Sequence, residues 1–276
     1  MRIFIDTAKL EEIEKAYSYG ILDGVTTNPS LIRKVFDGMK EADADSISRY
    51  IIKILETARG TPVSLEVVST TYKEMVEEGR ALFRKFNSVA GNVVVKIPIN
   101  PSLDESEMGN FDGIVAIRTL SKEKIPVNCT LIFTPEQALM AAKAGAVYVS
   151  PFAGRIDDHI RDKNSIEYKK SDYFPAEGWR INENLLEDNG IVSGIDLIKQ
   201  CRRLFDNYAI KTEILAASIR NPRQAREASL AGADIATLPF DVIEKMLSHN
   251  KTAEGMRNFT KDVVKDYANV LKQNKI

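Results

Sequence analysis

Cysteine and histidine are scarce, with two of each among 276 residues. Cys129 and Cys201 are too few for a disulfide framework or a four-thiolate zinc site. His159 and His249 argue against a multi-histidine metal site and a two-histidine mechanism, and no metal is expected. A surplus of positive charge is lacking too. The 38 Lys and Arg against 39 Asp and Glu leave a net charge of −1, whereas a general nucleic-acid binder needs basic excess to neutralise phosphates. No apolar stretch approaches the ~18 residues of a membrane span. The opening Met-Arg-Ile-Phe-Ile-Asp carries a charge at Asp6 and does not read as a signal peptide. No Gly-x-Gly-x-x-Gly follows the first apolar run, which weakens a dinucleotide-binding reading. What is present is ordinary for a folded chain: 44% hydrophobic and 28% charged residues. The expectation is a reduced, soluble, cytoplasmic protein without nucleic-acid or membrane partners.

The length is large for one average domain and small for two, but a single α/β barrel takes about 250 residues. Eight short β-rich runs support that reading: Arg2–Thr7, Gly24–Asn28, Pro62–Val68, Val93–Ile99, Pro126–Ile132, Ala146–Phe152, Glu213–Ile219 and Ile235–Pro239. Val93-Val94-Val95-Lys96-Ile97 is apolar nearly throughout, as parallel strands buried on both faces are. Between the runs lie helical patterns at Ala8–Tyr19, Ser46–Arg59, Thr71–Phe86, Pro135–Ala144, Pro222–Ala231 and Thr252–Gln273. The Pro135 and Pro222 segments share Pro-x-Gln-Ala and end before Gly145 and Gly232, a repeated strand-to-helix design. The predicted fold is α/β: a single (β/α)8 TIM barrel spanning 1–276, with a long loop after strand 6 and an extra C-terminal helix. An open doubly wound sheet is the alternative. The long loop, Ala153–Ile191, carries Tyr168, Tyr173, Phe174 and Trp179, which favour an ordered cover over a solvated linker.

Lys96 stands inside an apolar run. A neutral amine there can attack a ketone or aldehyde and form a Schiff base; the plainer alternative is a lysine that snorkels or pairs with a carboxylate. Asp6 and Glu66 lie at the C-terminal ends of runs 1 and 3, which converge on the active-site face of a barrel. They suit general acid–base work, or helix capping and a structural ion pair. Polar clusters end other runs: Thr26-Thr27-Asn28-Pro29-Ser30, Asn128-Cys129-Thr130, Ser150-Pro151-Phe152 and Ser218-Ile219-Arg220. Amides and hydroxyls there can read sugar hydroxyls, or serve turns. Arg155 and Arg220, with the Ser218 hydroxyl, can chelate a phosphate; each arginine alone is more often a surface ion pair. Cys129 reads as a small core residue.

Phe4-Ile-Asp6-Thr7, Gly24-Val-Thr-Thr-Asn28-Pro-Ser30, Val94-Val-Lys96-Ile-Pro98, Ser150-Pro-Phe-Ala-Gly-Arg155-Ile-Asp157, Leu215-Ala-Ala-Ser218-Ile-Arg220 and Thr237-Leu-Pro239 together resemble the transaldolase family, which includes fructose-6-phosphate aldolases. The resemblance covers nearly the whole chain. It implies a (β/α)8 barrel and a Schiff-base mechanism without metal or cofactor. By the same resemblance Lys96 attacks the C2 carbonyl of a ketose phosphate, and Asp6 takes the C4 hydroxyl proton. Glu66 and Thr130 hold a catalytic water. Asn28, Asn128 and Ser150 bind the dihydroxyacetone unit, and Arg155, Ser218 and Arg220 bind the phosphate. Sugar phosphates are the implied partners, and a homo-oligomer is expected. The aldolases carry Gln and Tyr at the positions of Glu66 and Phe152, so these two residues point to transfer of dihydroxyacetone over its release. Two stretches depart from the short members: Asp157–Ile191, which resembles a segment of the longer members, and an acidic insertion at Asn100–Asn110.

Overall fold

All eight apolar runs become parallel strands, and their pairing closes into a barrel of order β1-β10-β9-β6-β5-β4-β3-β2. The strands are β1 (Arg2–Asp6), β2 (Gly24–Thr26), β3 (Val63–Glu66), β4 (Val93–Pro98), β5 (Val127–Ile132), β6 (Tyr148–Pro151), β9 (Glu213–Ala216) and β10 (Ile235–Leu238). The two-residue β7 (Arg180–Ile181) and β8 (Asn184–Leu185) form a separate hairpin. The computed structural model describes residues 1–37, 43–104, 109–263 and Tyr267.

Side chains alternate across a strand, so residues two apart share a face. Phe4, Val94, Tyr148, Leu215 and Ile235 form one small buried cluster distinct from the main core, and Phe152 packs on it. This is the barrel interior. The rings of Phe4 and Tyr148 meet edge to face at 6.2 Å. Two residues further along each strand come Asp6, Lys96, Ser150, Ala217 and Thr237. The interior therefore has an apolar floor and a mostly polar layer above it. Gly24 sits beside Phe4 in register, and a Cβ there would lie 2.7 Å from the Phe4 ring. The opposite faces of the strands, including Ile5, Val95, Ile97, Cys129 and Leu238, join the main core under the helices.

The helices are α1 (Leu10–Ser18), α2 (Pro29–Phe36), α3 (Ala44–Thr57), α4 (Tyr72–Ala90), α5 (Asp112–Lys122), α6 (Pro135–Ala144), α7 (Ala153–Lys163), α8 (Gly194–Asn207), α9 (Pro222–Leu230), α10 (Phe240–Met246) and α11 (Asn250–Lys261). Several begin on a side-chain cap where a barrel strand gives way to its helix: Asn28 caps α2, Thr71 α4, Thr134 α6 and Asn221 α9. The shared Pro-x-Gln-Ala is part of this device. Gln137 Oε1 accepts from the N–H groups of Phe133 and Thr134, and Gln224 Oε1 accepts from the Arg220 N–H.

One expectation is overturned. The stretch Ala153–Ile191 is not a loop throughout, because it opens with α7, directly after β6. Seven of the eleven α7 residues are charged or His (Arg155, Asp157, Asp158, His159, Arg161, Asp162 and Lys163), which hides the helical pattern. The buried apolar stripe is short, Ala153, Gly154, Ile156 and Ile160, and the charged Asp157 and Arg161 are buried beside it. Gly154 lets the helix meet β9's exit, since a Cβ there would stand 2.2 Å from the Ser218 carbonyl oxygen. The remainder does form an ordered cover, and it covers α7: Phe174, Leu186 and Ile160 bury one another, with Ile166 and Trp179 against them. The expected helix Thr252–Gln273 begins earlier, at Asn250, and its described part runs to Lys261 with no buried residue. Its remainder, like residues 105–108 of the acidic insertion, lies largely outside the described residues.

Candidate active site

The polar layer surrounds a cavity of about 100 Å3 lined by Asp6, Thr26, Asn28, Lys96, Ser150, Phe152, Arg155, Leu215, Ala217, Ser218 and Thr237. A larger groove of about 630 Å3 at Ile3, Tyr19, Ile21, Ile243 and Met246 has Glu244 as its one charged residue, already paired with Lys15. The convergent chemistry is in the small cavity.

Lys96 is 6% exposed. Its Nζ lies 3.0 Å from Glu66 Oε2 and 3.4 Å from the Thr27 carbonyl oxygen. Strand register explains the first contact, because Glu66 on β3 and Lys96 on β4 are direct partners. The lysine thus combines both readings of the sequence: it is enclosed, and it is paired with a carboxylate.

Asp6 does not cap α1: the cap position is Lys9, whose N–H donates to the Thr7 hydroxyl, and the Leu10 N–H donates to Tyr50 Oη at 3.0 Å. Its carboxylate faces the cavity and accepts from Thr26 Oγ1 at 2.8 Å. Thr26 Oγ1 is also 2.6 Å from Thr237 Oγ1. A hydroxyl has one proton to give, so Thr26 donates to Asp6 and accepts from Thr237. Burial pushes the Asp6 pKa up, and the positive charges of Lys96 and Arg155 and the Thr26 bond pull against it without cancelling the shift. Asp6 is therefore suited to exchange protons above the usual carboxylate range. The sequence offers Thr26 only as a member of a polar cluster and Thr237 only as part of a motif, with no role for either; the alternation that places Thr237 two residues above Ile235 is the signal that marks it as facing the mouth.

Asn28 does two things at once. Its Oδ1 caps α2 by accepting from the Leu31 N–H at 2.9 Å, which leaves the amide nitrogen as a donor at the cavity. Asn128 is fully buried and does not line the cavity. It accepts from Ser150 Oγ at 2.7 Å and donates to Ser64 Oγ at 3.2 Å, so it fixes Ser150, which does line it. Thr130 is buried too, away from the cavity lining, and its hydroxyl has no hydrogen-bond partner among the described residues.

At the rim, Arg155 lies over the Phe152 ring, 4.9 Å from its centroid. Ser218 adopts φ +60, a conformation costly for a residue with a Cβ. Arg220 Nε reaches Ser218 Oγ at 3.3 Å, and Arg220 Nη2 donates to Asp158 Oδ2 at 2.6 Å. Arg155 and Ser218 face the cavity directly, while Arg220 stands behind Ser218. Asp158 was not anticipated, because it belongs to the charged helix that the sequence pattern hid. Its neighbour Asp157 accepts from the Gly194 N–H and from Gln224 Nε2, and burial still raises its pKa to about 7. Cys129 is buried and burial raises its thiol pKa, consistent with a core role.

Fold and mouth together define a (β/α)8 barrel with its polar residues gathered at the C-terminal ends of the strands. The family model Transaldolase/Fructose-6-phosphate aldolase matches residues 3–275. A probable transaldolase of Thermoplasma acidophilum is 44% identical over 95% of this chain and 95% of its own length. A probable transaldolase of Desulfatibacillum aliphaticivorans is 43% identical over 96% of this chain and 99% of its own. The chain belongs to the transaldolase and fructose-6-phosphate aldolase family of enzymes.

Proposed function

We propose that this chain is a transaldolase that moves a dihydroxyacetone unit from sedoheptulose 7-phosphate or fructose 6-phosphate to an aldose phosphate, through a Schiff base on Lys96. The observation that carries the reading is the enclosed Lys96 amine in one small cavity with Asp6, 3.0 Å from Glu66, below a rim that bears Arg155 and Ser218. The neutral Lys96 amine attacks the ketose C2 carbonyl, and the carbinolamine loses water to give an iminium. Asp6 takes the C4 hydroxyl proton. The C3–C4 bond breaks, its electron pair flows into the iminium, and an aldose phosphate leaves. The enamine that remains attacks an acceptor aldehyde, the new alkoxide regains the proton from Asp6, and water hydrolyses the product iminium to return the amine. Glu66 carries protons for the steps in which water leaves and re-enters, with Thr130 as the hydroxyl partner of that water. Asn28 and Ser150 hold the hydroxyls of the three-carbon unit. Arg155, Ser218 and Arg220 bind the phosphate at the far end.

Phe152 presents a ring, not a hydroxyl, to the cavity. With no added acid beside the enamine, the enamine waits for an acceptor, which supports transfer over lysis. Borohydride reduction in the presence of fructose 6-phosphate should fix a three-carbon adduct on Lys96, absent in Lys96→Ala. Erythrose 4-phosphate should be required for turnover. No adduct would overturn the Schiff base, and sustained glyceraldehyde 3-phosphate release without an acceptor would replace transfer by lysis.

A further inference from the structure

We infer that Asp158 is a positioning residue for the phosphate end of the substrate, and that Arg161 and the aromatic segment after α7 hold it in place. This rests on the phosphate role proposed above for Arg220.

Arg161 is 2% exposed, deeper than the other charged side chains of α7, and is not among the residues that line the cavity. Its guanidinium lies 4.8 Å from the Tyr168 ring centroid and 5.0 Å from that of Phe174. Its Nη2 donates to the Asp172 carbonyl oxygen at 3.0 Å. All three partners belong to the segment that covers α7. A buried cation is costly unless a charge compensates it. Asp157 lies within its field, and the ion pair is with Asp158, one turn earlier on the same helix, with Oδ1 3.8 Å from Arg161 Nη1 and no hydrogen bond between them. The other oxygen of Asp158 holds Arg220 Nη2 at 2.6 Å. One carboxylate therefore bridges two guanidinium groups, one at the substrate's phosphate end and one locked under an aromatic lid.

Two features turn this bridge toward substrate binding. Arg220 is held on two sides, at Nε by Ser218 and at Nη2 by Asp158, while Nη1 has no hydrogen bond among the described residues. A guanidinium so fixed keeps an N–H edge in place for a phosphate oxygen before substrate arrives, which lowers the ordering cost of binding. The backbone of Arg220 is clamped through the same helix as well. Gln224 accepts from its N–H and donates to Asp157, the residue next to Asp158. The segment after α7 thereby acts on affinity for the phosphate at a distance, through Arg161 and Asp158.

The test compares fructose 6-phosphate with unphosphorylated fructose as donor, and adds inorganic phosphate as a competitive inhibitor. Loss of one charge-assisted hydrogen bond should raise the fructose 6-phosphate KM and the phosphate Ki of Asp158→Ala by about tenfold, far more than the fructose KM and with little change in kcat. Tyr168→Leu, outside the cavity, should shift the same two constants in the same direction by about threefold through Arg161. Equal losses for fructose and fructose 6-phosphate in Asp158→Ala would reduce Asp158 to a structural role and overturn the inference. So would a normal phosphate Ki in Asp158→Ala alongside a raised one in Arg220→Ala, which leaves the phosphate role of Arg220 standing. If Arg220→Ala itself leaves the phosphate Ki untouched, the phosphate reading fails first. A Tyr168→Leu enzyme with wild-type constants would remove the aromatic segment from the chain.

Discussion

Glu66 Oε2 and Lys96 Nζ stand 3.0 Å apart as register partners on adjacent strands, both side chains largely buried. Removing one member of such a pair leaves the other charge without its partner. Glu66→Gln should lower kcat by about a hundredfold, the range of a lost proton-transfer group, while borohydride trapping on Lys96 persists at longer times. Combined with Phe152→Tyr, it should raise the ratio of free dihydroxyacetone to transferred product. An unchanged ratio would mean that Phe152 and Glu66 do not govern the partition.

If Asp6 is the proton acceptor proposed above, it sets the pH dependence: its raised pKa should place the ascending limb of the kcat/KM profile above the usual carboxylate range, since the acceptor is ionised when it takes the proton. Thr26→Val removes the bond that favours the ionised form and should move that limb to still higher pH. The profile of single-turnover cleavage reads this directly, and a limb that stays put would separate Thr26 from the chemistry.

Arg155 lies on the rim over Phe152, where the proposed mechanism puts the phosphate end of the substrate. Arg155→Ala should raise KM for fructose 6-phosphate more than it lowers kcat, because it removes a contact made equally in ground and transition states. Equal damage with unphosphorylated fructose would count against its role at the phosphate.

Asp157 links pH to stability. Its folded-state pKa, about 7, exceeds that of the unfolded chain because burial disfavours the charge. The folded protein therefore binds more protons than the unfolded one across the weakly acidic range. The Asp157 contribution is full below the unfolded carboxylate value and is lost as pH rises through about 7. Wild-type stability relative to Asp157→Asn should fall by on the order of a few kcal/mol from pH 4 to pH 8. Denaturant titrations across that window check it, and a constant difference would show that Asp157 titrates normally.

Gly24 is set against the Phe4 ring, with 2.7 Å left for a Cβ. Gly24→Ala should destabilise the barrel by about 1–3 kcal/mol through overpacking. Phe4→Leu in the same chain should recover part of that loss, and no recovery would place the strain elsewhere.

The barrel was legible because each buried parallel strand writes itself as a short β-branched run, and the eight runs coincide with the eight strands. Lys96, Asp6 and Glu66 were legible for a related reason: a charge inside such a run has few places to go but the mouth. What escaped was set by contacts distant in sequence. α7 carries seven charged or His residues among eleven, and only folding brings Asp158 to Arg220 and Arg161 to Tyr168 and Phe174, which lie in the segment that covers it. Asn128 shows a subtler limit. The sequence places it at the end of a strand, but only the folded side chains show that it accepts from Ser150 and stands outside the cavity lining.

The apolar floor of Phe4, Val94, Tyr148, Leu215 and Ile235 has a kinetic consequence. It closes the barrel beneath the lysine, on the side away from Arg155 and Ser218. In the proposed mechanism the retained carbons stay bonded to Lys96 above that floor, so the first product leaves before the acceptor takes its place. The expected signature is a family of parallel double-reciprocal lines when donor and acceptor concentrations are varied against each other.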